Sequence, residues 1–459
     1  MSPRPAPASV PNISVNTVKQ LTQIRTYELL TPLMGGGVET LTNDPVTLIR
    51  GASVRGHLRF WWRATRGGQF SGNLAHMYAA EQALWGGPSR HGLINLTVEK
   101  SNTTGTVAWN NEKIKYATFP LEDHDHEHLL KSMLPTGVSF SLVLHYPPVS
   151  VFTLDKDATP PLTQTLNVAD EVNAALWAWT TFGGIGARTR RGLGAIHCLT
   201  IDGEVQIPPF EEGLTANIQK GLTMHAVAGA WPPDVPHLTP QTRFVLRVLD
   251  GPPIVAWEYL IRKLKQFRQS RNGGIHRSHW PEPDEIRRLS GTYMRSHAPE
   301  HAVTPYKFPR GDFGLPIVFK FVREDVARRD PEQTTLEGAR NKRLASPLLL
   351  RPLKCSPDGS SDVSIALAAI LEGCRTPPGG YVLRGGHLCG NTERSAPMGT
   401  EVPVYKDLST SNSGSKSSDD ADTVFDKVIN NSTLRAKVKA TYASSTTDLL
   451  QAFLTYLEG

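Results

Sequence analysis

Polar and apolar positions change rhythm several times along the 459 residues. From Gln23 to Leu33 they alternate with a two-residue period, which predicts a strand running into the flexible turn Gly35-Gly36-Gly37. Ser53 is placed to cap a helix over about Val54–Arg66, and a short helix is expected around Leu74–Trp85. After the turn Gly86-Gly87-Pro88, strands fit Leu93–Val98 and Ser139–His145, the second ended by a Pro-Pro break. Asp170–Thr181 reads as a helix with Val172, Leu176 and Trp179 on one side, and Leu193–Ile201 as a strand. The order is β-α-(insert)-β-β-α-β, the ferredoxin-like arrangement shared by RNA-recognition domains.

A second unit starts near Arg243 with the strand RFVLRVL and the amphipathic stretch Ile254–Phe267. Further strands are expected at Pro316–Val322, Pro347–Pro352 and Gly380–Leu383, with a helix near Val363–Glu372 and a helical tail around Thr446–Leu457. The fold class expected is therefore α+β, with two ferredoxin-like (RNA-recognition-type) domains carrying inserts. Residues 1–19 read as a disordered leader and 20–201 as the N-terminal domain, with an insert at about 100–137. Residues 202–240 read as a Pro-rich connection and 241–459 as the C-terminal domain, with a low-complexity segment at 409–422.

Composition narrows the class. Hydrophobic residues make up 39 %, and 39 Gly with 35 Pro favour a loop-rich protein over a helical bundle. The net charge of +6 is too mild to imply nucleic acid unless the charges cluster. Cys198, Cys355, Cys374 and Cys389 show no Cys-x-x-Cys spacing, so neither a disulfide framework nor a zinc site is expected. No cofactor or metal is called for. No apolar run approaches the roughly 20 residues of a membrane helix, and the first residues hold no apolar signal core, which points to a cytoplasmic protein without a membrane partner.

The charges do cluster. Thr180–Ala195 holds Gly183, Gly184, Gly186, Gly192 and Gly194 around Arg188, Arg190 and Arg191, with no acidic residue. Glycine lets a backbone approach closely, exposed N–H groups can form an anion-binding concavity, and arginine adds a planar fork for phosphate. The segment lacks the Gly-Lys-Ser/Thr ending of a P-loop and follows a helix, which excludes a nucleotide-triphosphate grip. Arg55, Arg59, Arg63 and Arg66 share one face of the first helix, opposite Val54, Leu58, Trp61 and Thr65. No acidic residue lies between Ile49 and Ala80, so these arginines read as uncompensated and available to an anion; the alternative is a solvated basic face.

A third basic region, Tyr259–Trp280, carries Arg262, Lys263, Lys265, Arg268, Arg271 and Arg277; a solvated charge run weighs equally there with backbone tracking or a partner contact. Two other signals are discounted. The Asp/His alternation at 123–128 lies in the insert, and Asp312-Phe313-Gly314 lacks any kinase catalytic loop and reads as a structural turn. His57 is the one candidate general base near RNA, with packing at the helix edge the favoured reading; no catalytic set stands out.

These residues together resemble the RAMP superfamily of CRISPR-associated proteins, and within it the Cmr subunits of type III-B effector complexes. The likeness rests on Thr31-Pro32 with Gly35–Gly37, on IRGASVRGHLRFWWR from Ile49 to Arg63, on the Gly183–Gly194 loop, and on Gly314-Leu315-Pro316 with Ser346-Pro347-Leu348. The resemblance implies a place at the end of a guide-RNA complex in antiviral defence. It also implies contact with guide RNA and/or target RNA near the guide 3′ end and with other Cmr/RAMP subunits, and binding without cleavage. The expected RNA contacts are Arg50, Arg55, Arg59, Arg63, Arg66, Arg188, Arg190 and Arg191 with the loop glycines Gly183, Gly184, Gly186, Gly192 and Gly194. The alternatives are a metal-independent endoribonuclease that processes guide RNA, and a structural adaptor without RNA contact. The insert and the segment near 415 have no counterpart in the likeness.

Overall fold

The computed structural model describes residues 19–35, 44, 47–88, 90–99, 115–118, 133–207, 211–271, 273, 277–299, 307–321, 330–355, 363–373, 375–385, 402–404, 421–444 and 448–459. The leader, most of the insert with the 123–128 cluster, Gly36, Gly37, Cys374, Cys389 and the segment 409–420 lie outside them.

β1 (Leu21–Leu29) keeps the alternation expected of it and becomes a central strand. It is followed by β2 (Leu33–Met34), α1 (Gly51–Arg66), α2 (Leu74–Trp85), β3 (Asn95–Glu99), α3 (Lys115–Thr118), β4 (Met133–Leu134) and β5 (Ser139–Tyr146). Then come β6 (Val149–Asp155), β7 (Leu162–Asn167), α4 (Val168–Phe182), β8 (Ile196–Ile201) and β9 (Glu204–Val205). The first sheet has the order β3-β5-β1-β8-β9. β1 pairs antiparallel with β5 and β8, and β3 with β5. The long helix α1 follows β1 and β2, and α4 lies between the β6–β7 pair and β8, in a split β-α-β sequence. Tyr27 of β1 stacks on Phe140 at 5.5 Å and meets Trp179 edge-on at 5.1 Å, so sheet and helices share one aromatic core.

Two local expectations are corrected. α1 starts at Gly51, and Arg50, not Ser53, occupies the cap position; no side chain caps it, and the Arg50 carbonyl accepts from the Ser53 and Val54 N–H groups. The Pro-Pro break ends β5 as expected, and β6 and β7 beyond it form a hairpin of their own. The expected connection also contains α5 (Glu211–His225), whose Ile218 and Leu222 join the first core.

The second unit runs β10 (Phe244–Asp250), α6 (Pro253–Arg268), α7 (Glu282–Ser290), β11 (Ile317–Phe319), β12 (Thr334–Gly338), β13 (Leu348–Cys355), β14 (Val363–Ile370), β15 (Tyr381–Arg384) and β16 (Val402–Val404). It ends with α8 (Ala421–Val428), α9 (Ser432–Ser444) and α10 (Leu449–Glu458). The helix expected at Val363–Glu372 is the strand β14, central in a sheet of order β10-β14-β13. Its side chains serve two cores: Leu367 and Ala369 pack with the first unit, Ala366, Ala368 and Ile370 with α6 and α10. A strand buried on both faces has no polar alternation, and its alanines imitate a helix. Among the described residues this sheet has three strands, and β11-β12-β15-β16 forms a separate sheet over a small core of its own. Asp312-Phe313-Gly314 lies in a buried 3₁₀ turn, with Phe313 in the second core.

Candidate nucleic-acid interface

α1 buries Val54, Leu58, Trp61, Trp62, Ala64 and Thr65, and this apolar face determines how its arginines point. The stripe is not uncompensated. Arg59 Nε donates to Glu81 Oε1 at 2.6 Å and Arg63 Nη1 to the same oxygen at 2.5 Å, with the Glu81 side chain 3 % exposed. Arg66 donates twice to Glu171 Oε1, at 3.0 and 2.8 Å. Glu171 also accepts from Trp62 Nε1 at 2.7 Å and Gln69 Nε2 at 3.1 Å, so its buried carboxylate is fully engaged. The counter-charges come from α2 and the first turn of α4. Glu81 sits one residue past the acid-free stretch and Glu171 is 105 residues from Arg66; both fall outside a local charge reading. Trp62 is fully buried and is a core residue.

Arg50 and Arg55 differ from the other three. Neither has a carboxylate partner among the described residues, both are half-buried, and Arg55 Nε is enclosed without a hydrogen bond. His57 is half-buried on the same helix, and desolvation holds its pKa down at about 4, so the ring is neutral at physiological pH. A base that weak is poorly matched to proton abstraction near neutrality.

The Gly-Arg loop is a clasp between units. Its glycines let the backbone meet protein backbone. Gly183 and Gly184 are buried against Trp61 and the Gly194 carbonyl, and Gly186 backs onto the Met34 carbonyl. Gly192 has φ +80°, and a Cβ there would stand 2.8 Å from Trp257 Cδ1; at Gly194, with φ +59°, a Cβ would overlap the Ile185 carbonyl. Thr31 ties the loop down, donating to the Gly192 carbonyl at 2.6 Å and accepting from Ala195 N at 2.9 Å. The close approach that the glycines permit is thus internal, which corrects the expectation that they clear space for RNA.

The loop arginines turn toward main-chain carbonyls. Arg188 Nη1 donates to Ala117 O at 2.9 Å, Arg190 Nη1 to Ser346 O at 2.5 Å and Arg191 Nη1 to Tyr116 O at 3.2 Å. Trp257 Nε1 of α6 donates back to Arg191 O at 2.7 Å. Among the described residues no carboxylate pairs with Arg190 or Arg191, and burial pulls both guanidinium pKa values down to about 10. Arg268 and Arg188 add to the shift at Arg191. Both remain cationic at neutral pH, so this is desolvated positive charge held by carbonyl dipoles and ring faces without a counter-charge. Arg190 also lies over the Phe60 ring at 5.2 Å, which brings the loop against α1.

The third basic region separates into roles. Arg262 and Lys263 lie over Tyr259, Arg268 bonds the Tyr116 hydroxyl at 2.9 Å, Arg277 pairs with Asp284, and Lys265 is exposed. Among the described residues, no group of His, Cys, Asp and Glu could hold a metal ion, and no helix is long and apolar enough to cross a membrane.

Residues 26–197, from β1 into β8, match the RAMP superfamily. The chain resembles Cmr1 of type III-B Cmr complexes. It is 23 % identical over 171 residues to the CRISPR system Cmr subunit Cmr1-1 of Pyrococcus furiosus. That match covers 37 % of this chain and spans 45 % of the relative's length. Two solved structures overlap it loosely. The crystal structure of Cmr1 from Pyrococcus furiosus gives a TM-score of 0.43 at 14 % identity, over 77 % of this chain and 88 % of that one. A type III-B Cmr-β structure bound to cognate target RNA, obtained by cryo-electron microscopy, gives 0.44 at 12 % identity, over 77 % and 95 %.

Proposed function

We propose that this chain is a non-catalytic, RNA-binding subunit of a type III-B CRISPR effector complex. It contacts the backbone of guide RNA, target RNA or both near the guide 3′ end, and packs against other Cmr subunits. Its two units are RAMP ferredoxin-like domains, the second without a closing fourth strand among the described residues. One observation carries the reading. Arg50, Arg55, Arg190 and Arg191 have no carboxylate partner among the described residues, whereas Arg59, Arg63 and Arg66 do. Half-buried guanidinium groups without counter-charge are stabilised by an incoming phosphate. The paired arginines are assigned to holding α1 against α2 and α4, which narrows the interface to Arg50, Arg55 and the loop. The superfamily match over residues 26–197 supports the same reading.

Cross-linking of the complex assembled on guide RNA, with and without target, tests it. Cross-linked peptides are expected from 50–66 and 183–194. Cross-links confined to other segments would overturn it. The non-catalytic part has its own test: incubation with repeat RNA without metal is expected to leave the RNA whole. Site-specific cuts lost in His57→Ala would replace this reading with the endoribonuclease.

A further inference from the structure

β6 and β7 form a two-stranded sheet separate from the larger ones. Its inner face is fixed, with Phe152 and Leu166 buried in the first core. Its base is closed by Val168 N, which donates to Pro148 O at 2.9 Å. That bond sets the phase of the ladder. Val149 stands opposite Asn167, Val151 opposite Thr165 and Thr153 opposite Thr163, so the bonded pairs are Ser150–Leu166 and Phe152–Gln164. Thr163 and Thr165 therefore turn both N–H and C=O away from β6. Among the described residues, no main-chain bond reaches β7 from any element but β6.

This edge lacks the devices that keep sheet edges from pairing. Free edges are commonly blunted by charge, by proline or by shortness. Among the described sheets, β3 carries Glu99, β10 Arg247, β13 Lys354 and β16 Pro403, while β2, β4, β9 and β11 are two or three residues long. β7 has six residues, with neither a charge nor a proline. The charges and prolines of the hairpin sit at its tip, in 155–161. α2 packs against β6, and β7 is the more open strand, with Leu162, Thr163, Thr165 and Asn167 exposed. The outer face beside it is apolar, and Val151 is 64 % exposed.

The chemistry of the edge identifies its occupant. Outward N–H and C=O groups are satisfied by water in the free chain and, once water is excluded, by another extended main chain. An outer face without a cation gives no hold on phosphate, and without either charge it favours neither an acidic nor a basic segment. We propose that β7 accepts an extended, uncharged segment of a neighbouring protein subunit as an added strand, paired through Thr163 and Thr165. β-Branched and hydroxyl side chains suit the positions opposite these threonines. Six residues of strand offer a pairing length of about 20 Å. This contact presupposes the reading of the chain as one subunit of a larger complex, and names what one face of it meets.

Hydrogen–deuterium exchange tests it in three states: the full chain alone, the chain with a single-stranded RNA, and the effector complex assembled with the other Cmr subunits on guide RNA. Amides of 162–167 are expected to exchange about tenfold more slowly in the complex, as for a gained hydrogen bond, and to be unchanged by RNA. Thr165→Pro removes an outward N–H and no bond to β6, so the chain should fold as before and enter the complex about tenfold less well. Thr165→Lys, which places a charge at an exposed edge position, should act in the same direction. An unprotected β7 in a complex that has formed, or full incorporation of both variants, overturns the added strand and leaves the subunit reading intact. Protection by RNA alone gives the edge to nucleic acid and overturns it too. A dimer of the isolated chain that Thr165→Pro dissolves gives the edge to a second copy, with the same result. Failure of the unsubstituted chain to enter any complex overturns the subunit reading and this contact together.

Discussion

At the scale of the residue, two buried carboxylates decide what the arginine helix is. Glu171 serves Arg66, Trp62 and Gln69 together, and removing one partner of a buried ion pair costs about 3–5 kcal/mol because the other charge is stranded. Glu171→Ala is expected to destabilise the chain by about 3 kcal/mol in urea unfolding. Glu81→Gln should cost less, about 1 kcal/mol, because Arg59 and Arg63 keep 27 % and 31 % of their side chains in water. Equal effects would contradict the burial difference. Gly194→Ala should cost well over the roughly 1 kcal/mol of a tolerated Gly change, since φ +59° and the Ile185 carbonyl both oppose a side chain.

Three histidines add a pH dependence. Burial holds His57, His197 and His225 at about 4, below the ordinary 6.5. Lys354 and Arg351 assist at His197, and Arg66 at His225. Between pH 6.5 and 4 the unfolded chain binds protons that the folded chain refuses, so stability falls as pH drops through that window. Urea midpoints at several pH values check this, and a flat profile would contradict it. The arginine spacing was legible in the sequence, but the ion pairs were not, because Glu171 reaches Arg66 only once α4 packs on α1.

At the scale of the element, the hydrophobic rhythm worked where one face of an element meets water. β1, α2 and α6 lie close to their patterns because each has a side that meets water to mark it. It failed at β14, which feeds two cores and has no polar side. It also missed α5, which lies within a stretch that reads as Pro-rich connection. The Gly-Arg segment joins a helix, α4, to a strand of the first sheet, β8, as its pattern predicts, but its contact with α6 is invisible in the sequence, because Trp257 is 66 residues away. That contact has a measurable consequence. Trp257→Phe keeps the ring and removes the bond to the Arg191 carbonyl, a net loss of about 1 kcal/mol. Amide exchange at residues 189–194 should speed up while the rest of the second core stays protected. Uniform acceleration across α6 would mean that the indole acts through packing alone.

At the scale of the molecule, the two units share buried surface rather than a loose linker. β13 and β14 send Leu349, Leu367 and Ala369 into the first core, and the buried Arg351 donates to the Trp179 and Ile196 carbonyls. The Gly-Arg loop sits at this junction, so an RNA strand held there would touch a surface made by both units. The α+β class and the order of elements along the first unit could be read from the chain; the merged core could not, since it depends on β14, whose pattern reads as a helix.

The most direct test is the salt dependence of RNA affinity. Fluorescence anisotropy with a single-stranded RNA, from about 50 to 200 mM salt, gives the slope of log K against log salt, to which each phosphate contact adds about 0.7. Arg50→Gln with Arg55→Gln should reduce the slope by about 1.4, while Lys265→Gln, on an exposed turn of α6, should leave it nearly unchanged. A double variant with the slope of the unsubstituted chain would contradict RNA contact through this face.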